Sequence, residues 1–512
     1  MAGMAGMLAG MAFLLLAAAT PPRKVEHVVV LLMENRAFDH IFGCAWKELP
    51  GIDGLQRGHE NWVDPSDHSK GKVRATCGSA PYVCKHDLDH SFGGTTIEIF
   101  GPNVTDGARP PYPPARMTGF ANRSGAHALQ AFSPAQLPVK MALAREFGVL
   151  NNMYASMPGP SQPNHMFAQS ATACGVTETG VDFTQCGGKL PLFPQRTVYD
   201  ALLEAGHEFA LFTNGTAGEG SFGDVYLWGL LRHLPGRVHT YDAPTHGLFA
   251  RAAAGTLPAL SWVVPRGGGE RPNDDHPCHD LALGEELLKS VYESVRAGPG
   301  WERTVLLVVY DDAGGFADHA PTPLYAPTPG SPCERSDGCP EPFRFDRLGM
   351  RLAALLISPL VPRGTIIRDP PGPAGTATRP FANSKYEHAS IPATLKNLFG
   401  MPGFLTKRDA WAGSLHGELS LEAPRLDTPK HLPEPPAPAP AGVRTVHGCG
   451  DPARLTRRQR RHIALFARLL GEQPPRPDAM GAREGDQWLG ARIRALLDGV
   501  RTGALGRLAD EL

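Results

Sequence analysis

Six mostly unbroken apolar runs constrain this chain more than any other feature. They are VEHVVVLLM (Val25–Met33), FGVLNNMYA (Phe147–Ala155), EFALFTN (Glu208–Asn214), LPALSWVV (Leu257–Val264), TVLLVVY (Thr304–Tyr310) and RLAALLIS (Arg351–Ser358). Strands buried on both faces read this way, as in a sheet covered by helices. Helical patterns stand between and after them: TVYDALLEAG, HDLALGEELLKSVYESVRAG and HASIPATLKNLFG. Strands alternating with helices predict an α/β domain with a largely parallel sheet.

The 512 residues, 42% of them hydrophobic, suffice for one large domain and a smaller one. The composition changes near Leu415, and HLPEPPAPAPAG (His431–Gly442) reads as an extended Pro-rich linker. Beyond it, LTRRQRRHIALFARLLG and DQWLGARIRALLDGV have helical periodicity and basic faces. The expected organisation is a core domain over 23–415, a linker over 416–450 and a helical domain over 451–512. A formal net charge of −1, with both signs interspersed, gives no global attraction to nucleic acid. The basic C-terminal helices are expected either to meet an anionic lipid surface or to pack on the core domain.

Residues 1–22 contain an apolar stretch, Leu8–Ala19, too short to span a bilayer comfortably. Small residues, Pro21 and Pro22 follow, so the segment is expected to be a secretory signal or an N-terminal anchor. No later stretch reads as a membrane helix. The pairs Cys77/Cys84, Cys174/Cys186 and Cys333/Cys339 suit small disulfide loops in an oxidising compartment, with free thiols as the alternative. Sequons at Asn103, Asn122 and Asn214 fit the same route. The expected location is the secretory pathway, extracellular or in an endomembrane lumen.

Two of the strand-like runs end in acids: Val25–Met33 in Glu34-Asn35, and Thr304–Tyr310 in Asp311-Asp312. Sites in open α/β sheets gather at the carboxyl ends of strands. Three carboxylates and an amide oxygen at one edge call for a hard divalent cation such as Mg²⁺, Ca²⁺ or Mn²⁺. Taken singly, the first pair could cap a helix and the second could be a solvated loop. The run Phe147–Ala155 leads through MPGP to Ser161. That serine is either the cap of the next helix or a nucleophile beside a cation and a helix N-terminus. Histidines and acids follow in HDLDHSF (His90), NDDHPCHD (Asp275, His276, His279), GGFADHAPTP (Asp318, His319) and YEHAS (Glu387, His388). Each is structural or a partner for phosphoryl oxygens and leaving groups.

The stretches MENRAFDHIFG, GPSQPN with SATACG, NDDHPCHD, YDDAGGFADHAPTP, FDRLG, YEHASIPATLKNLF and FLTKRDAWAG occur in this order. Together they resemble the phosphoesterase family of non-specific phospholipases C, especially the plant type, and the related bacterial acid phosphatases. The resemblance runs from about Val25 to Gly413, and the C-terminal helices look like the plant group's small C-terminal domain. It implies an alkaline-phosphatase-like three-layer core and phosphoester hydrolysis through a phosphoenzyme. It implies Glu34, Asn35, Asp311, Asp312 and Ser161 as ligands of one divalent metal ion, with Ser161 also the nucleophile. His90 and His276 match phosphate-contacting or acid/base histidines; Asp275, His279, Asp318, His319, Glu387 and His388 match supporting positions. The implied partner is phospholipid at a membrane surface. Two departures bear on substrate: plant-type members carry threonine where Ser161 stands, and Asp311-Asp312 resembles the acid phosphatase pattern. The readings are therefore a phospholipase C, a broad acid phosphatase, or an inactive lipid- or phosphate-binding homologue.

Overall fold

The computed structural model describes residues 25–102, 104, 109–213, 227–267, 271–330, 343–440, 455, 457–476 and 480–502. The expected signal segment, Asn103, Asn214 and the pair Cys333/Cys339 lie outside them. Asn122 is exposed and its Nδ2 donates to Val63 O at 3.1 Å.

Eight strands form the main sheet: β1 (His27–Met33), β2 (Gly148–Leu150), β3 (Phe209–Thr213), β4 (Val238–Thr240), β5 (Leu260–Val264), β6 (Thr304–Tyr310), β7 (Ala354–Ile357) and β8 (Thr365–Ile367). Their order is β8-β2-β7-β6-β1-β5-β3-β4. Every neighbouring pair is parallel except the two made by β7, which runs against β6 and β2. All seven residues of β6 are buried, which is why its sequence shows no polar alternation.

Helices cover both faces. The described helices that bear on the site are α1 (Pro138–Glu146), α2 (Ser161–Ser170), α3 (Leu281–Ala297) and α4 (Ser390–Phe399). Ile391 and Leu395 of α4 line one small cavity together with Val28, Val305, Leu307 and Leu356 on one face of the sheet. Tyr310 lies three residues beyond Leu307 and so points to the other face. There its hydroxyl hydrogen-bonds Asp275 Oδ2, which also holds Lys140 of α1 at 3.1 Å. Lys140 in turn reaches Glu285 of α3 at 3.2 Å. This three-layer α/β arrangement is the class read from the sequence.

Two features of the sequence reading change. Phe147–Ala155 is not one strand: β2 ends at Leu150, and Met153–Tyr154 pairs instead with Tyr386–Glu387 in a separate two-stranded sheet. Cys77 does not pair with Cys84. It is bonded to Cys44, with a Cα–Cα distance of 5.8 Å, and Cys84 is a buried free thiol. Thr76–Cys77 pairs with Gln130–Ala131, and this long-range pairing carries the exposed Cys77 to Cys44, which is buried in a small cluster with Leu55 and Ala131. Cys174, Cys186 and Cys278 are also in disulfides.

The C-terminal region contains α5 (Arg457–Leu469) and α6 (Ala482–Arg501). Ile463, Phe466, Leu489, Ile493 and Leu496 are buried, and Arg468 Nη1 lies 3.2 Å from Asp182 Oδ2. No helix among the described residues is long and apolar enough to cross a membrane.

Candidate active site

Register brings the two acidic strand ends together. β1 and β6 pair in parallel from His27↔Thr304 to Met33↔Tyr310, so Glu34-Asn35 and Asp311-Asp312 leave the sheet side by side. Asp311 Oδ1 accepts from Asn35 N at 2.8 Å and from Asp312 N at 2.7 Å. Asn35 takes φ 61°, a left-handed conformation that asparagine tolerates better than most residues.

Ser161 opens α2, but its hydroxyl does not cap it. Pro160 is the N-cap residue, and no side chain caps the end. Ser161 Oγ lies instead 3.2 Å from Glu34 Oε2, 3.3 Å from Asn35 Oδ1 and 3.1 Å from Asp312 Oδ2. A hydroxyl carries one proton and can satisfy only one of these acceptors at a time. Asn164 holds the turn before it: its Nδ2 donates to Gly159 O and Pro160 O, both at 3.2 Å, and its Oδ1 accepts from Met157 N at 3.2 Å.

The donor set fits a divalent cation. Burial, and after it the charge of Asp311, pushes the Asp312 carboxyl well above the usual carboxylate range; carboxylates this close repel unless a cation joins them. Two placements of the Asn35 amide oxygen and nitrogen fit its neighbours, the second pairing more of them while no cation is bound. In one, Oδ1 faces Ser161 Oγ and Nδ2 faces His90 Nε2 at 3.3 Å. Rotated by half a turn, it donates to Glu34 and Asp311 and accepts from His276 Nε2 at 3.1 Å. Amides bind hard cations through oxygen, so a bound cation would favour the first placement.

His90 and His276 flank the same edge, their ring centroids 6.1 Å apart. His90 Nδ1 lies 2.8 Å from Leu88 O. Burial opposes a charge on this ring, but Asp312 and Asp87 outweigh it and raise His90 to about 9. His276 Nδ1 lies 2.8 Å from Pro277 O, which leaves Nε2 directed to the Asn35 amide in the rotated arrangement. His165 also belongs to the site, and sequence motifs did not single it out. Its Nε2 stands 3.3 Å from Asp311 Oδ2 and 3.6 Å from Glu34 Oε1. The available signal was spacing: four residues after Ser161 on a helix is the same face, one turn on.

The other sequence-selected residues are engaged elsewhere. Asp275 sits behind the site with Lys140 and Tyr310, and its carbonyl accepts from Arg36 Nε at 2.8 Å. His279 Nδ1 lies 2.6 Å from Asp274 Oδ1; burial opposes its charge, yet Asp274 raises its pKa. Asp274 O in turn accepts from Glu34 N at 2.8 Å. Asp318 and His319 form a separate cluster with Asp39 and the buried Arg351, whose Nε is 2.8 Å from Asp318 Oδ1. His388 joins two site segments: Nε2 lies 2.9 Å from Tyr310 O, and Nδ1 accepts from Ser156 N at 3.2 Å. Glu387 accepts from Ser156 Oγ and, at 2.7 Å, from Ala389 N.

Comparison with known proteins follows the same stretch of chain. The Phosphoesterase family model matches residues 25–402. Non-specific phospholipase C3 of Arabidopsis thaliana is 36% identical over 432 residues, covering 80% of this chain and 76% of that protein. Non-specific phospholipase C1 of the same plant is 35% identical over 511 residues, covering 95% and 88%. The crystal structure of a protein in the alkaline phosphatase superfamily from Vibrio parahaemolyticus aligns with 56% of this chain and 66% of that chain, at 12% identity and a TM-score of 0.31. The matched stretch runs from the start of β1 to just past α4 and holds every oxygen that surrounds Ser161, and the chain is accordingly a member of the phosphoesterase family.

Proposed function

We propose that this enzyme is a phospholipase C that cleaves glycerophospholipids to diacylglycerol and a phosphorylated head group. The observation that carries the reading is the placement of Ser161 Oγ, unused as a cap and 3.1–3.3 Å from oxygens of Glu34, Asn35 and Asp312. The choice of phospholipid is supported by the relatives, whose names are non-specific phospholipases C.

Glu34, Asn35, Asp311, Asp312 and Ser161 would hold one divalent cation, which when bound makes the serine hydroxyl more acidic and offsets phosphoryl charge. Ser161 Oγ gives its proton to the Asp312 carboxylate, 3.1 Å away, and attacks phosphorus, so that a Ser–O–P bond forms and the bond from phosphorus to the glyceryl oxygen breaks. His276 or His90 gives its proton to the departing diacylglycerol alkoxide. The N-terminal N–H groups of α2 face the phosphoryl oxygens. Water then attacks phosphorus, giving one proton back to that histidine and its hydroxyl to the phosphorylated head group, and the Ser–O–P bond breaks as Asp312 returns the proton to Ser161. The turn fixed by Pro158, Pro160 and Asn164 limits the entropy lost as Oγ reaches phosphorus.

The substrate lies at a membrane surface, and the chain is assigned to the secretory route. The Cys44–Cys77 disulfide supports an oxidising compartment. The proposed division is a phosphoesterase domain over 23–415, a connecting segment over 416–450 and a helical domain over 451–512.

The test is hydrolysis of phosphatidylcholine and of a soluble phosphomonoester by the parent, Ser161→Ala and Ser161→Thr. Ser161→Ala is expected to abolish turnover with the fold intact, and Ser161→Thr to keep measurable activity. Near-parental activity in the alanine variant would remove Ser161 from the chemistry. Turnover of the monoester alone would favour an acid phosphatase, which the serine and the Asp311-Asp312 pair also resemble.

A further inference from the structure

We propose that His165 is a nitrogen ligand of the metal centre and shifts its preference from hard ions such as Mg²⁺ and Ca²⁺ toward borderline ions such as Zn²⁺. The proposal rests on the reading above that Glu34, Asn35, Asp311, Asp312 and Ser161 hold a cation. His165 lies one turn beyond Ser161 on α2, so the same helix face delivers a hydroxyl and an imidazole to the strand ends. Its side chain is only 12% exposed. Nε2 stands 3.3 Å from Asp311 Oδ2 and 3.6 Å from Glu34 Oε1, and one ligand atom from each of the three residues lies within 4.8 Å of the others.

These separations suit a shared ion. With six ligands at about 2.0–2.2 Å, adjacent ligand atoms of an octahedral ion sit about 2.8–3.1 Å apart. The two distances from His165 Nε2, 3.3 and 3.6 Å, are wider by a few tenths of an ångström, a gap that a bound ion would draw in. The chemistry then decides the metal. Mg²⁺ and Ca²⁺ take oxygen ligands, whereas imidazole nitrogen suits Zn²⁺ and other transition ions. A centre of carboxylates alone would leave the choice to the hard ions; one imidazole among them moves it. The competing role is that of a counter-ion, an imidazolium that neutralises Glu34 and Asp311. The two roles differ in sign. Removing a ligand weakens the binding of nitrogen-seeking ions, whereas removing a competing cation strengthens the binding of every divalent ion.

The experiment uses the full chain stripped with a chelator. Dissociation constants for Zn²⁺, Mn²⁺ and Mg²⁺ are measured by chelator competition and calorimetry for the parent, His165→Ala and the volume-conserving His165→Gln. Melting curves confirm folding. Both variants are expected to lose at least about tenfold in Zn²⁺ affinity, no less than the loss of an outer-shell partner costs. Mg²⁺ affinity should change by less than about threefold, since Mg²⁺ seeks oxygen. The visible absorption of the Co²⁺-loaded parent should also change in both variants. An unchanged Zn²⁺/Mg²⁺ ratio, or tighter binding of all three ions, overturns the ligand assignment while leaving the site reading in place. A parent that binds Mg²⁺ as tightly as Zn²⁺ overturns it without any variant. A parent that binds none of the ions overturns the site reading itself.

Discussion

His319 changes its charge within an accessible pH range and does so away from the candidate metal ligands. Its Nδ1 lies 2.6 Å from Asp39 Oδ2, and its Nε2 lies 3.2 Å from Asp53 Oδ1. Burial opposes the charged ring, but the hydrogen bond and charge of Asp39 outweigh it and raise His319 from 6.5 to about 9. The folded pKa is therefore the higher one. The stabilisation is fully present below about pH 6.5 and is lost as pH rises through about 9. Thermal melts across that range should show the parent losing stability, and His319→Gln starting lower and falling less. A variant with the parental slope would place the pH dependence elsewhere. The motif GGFADHAPTP marked Asp318 and His319 as notable residues. Their partner Arg351 lies more than thirty positions on and carries no local signal, so their structural role could not be read from the motif. His165 was missed for a related reason: a lone histidine on a helix is informative only when something across from it is known.

His388 shows how one element aligns two others. It precedes α4, and burial pushes its ring down to about 4, so it is neutral at ordinary pH. With a proton on Nε2 it donates to Tyr310 O and accepts from Ser156 N. One segment continues into Asp311-Asp312 and the other into the turn that presents Ser161. His388→Ala would leave a buried N–H and a buried C=O without partners, each costing about 1–3 kcal/mol. Urea unfolding should therefore show a loss of about 2–4 kcal/mol. Turnover should fall at saturating substrate, because the nucleophile and the acid pair no longer keep their spacing. A stable variant with unchanged turnover would make the clamp incidental. At this scale the long central strands were legible because burial on both faces leaves an unbroken apolar run. The three-residue strands β4 and β8 were not, since so short an edge strand carries no periodicity. Nor was the direction of β7, because an apolar run does not say which way it enters a sheet.

Across the whole molecule, the Pro-rich segment is a strap along α3. Tyr292 Oη donates to Pro429 O at 2.6 Å, Lys289 Nζ to Leu432 O at 2.7 Å, and Leu432 N to Glu293 Oε1 at 2.8 Å. Farther on, Ala439 N donates to Asp280 Oδ2 at 2.6 Å. Leu432 is buried. Leu432→Ala should cost about 2 kcal/mol and make the strap the first site of limited proteolysis; equal protease resistance in parent and variant would show that the backbone bonds alone hold it. Composition identified this stretch as extended and Pro-rich. Its docking depends on Tyr292, Lys289 and Glu293, spaced along one face of a helix far back in the chain. The same division holds for the molecule as a whole. The sequence by itself determined the α/β class, the acidic ends of two buried strands and the serine after a tight turn, because burial, turn chemistry and strand termination are local properties. Only the tertiary structure decided that Met33 and Tyr310 stand in register, that Ser161 turns to the carboxylates instead of capping its helix, that His165 joins them, and that Cys77 finds Cys44 instead of Cys84. Each of these depends on which distant segments meet, and that follows from packing the whole chain.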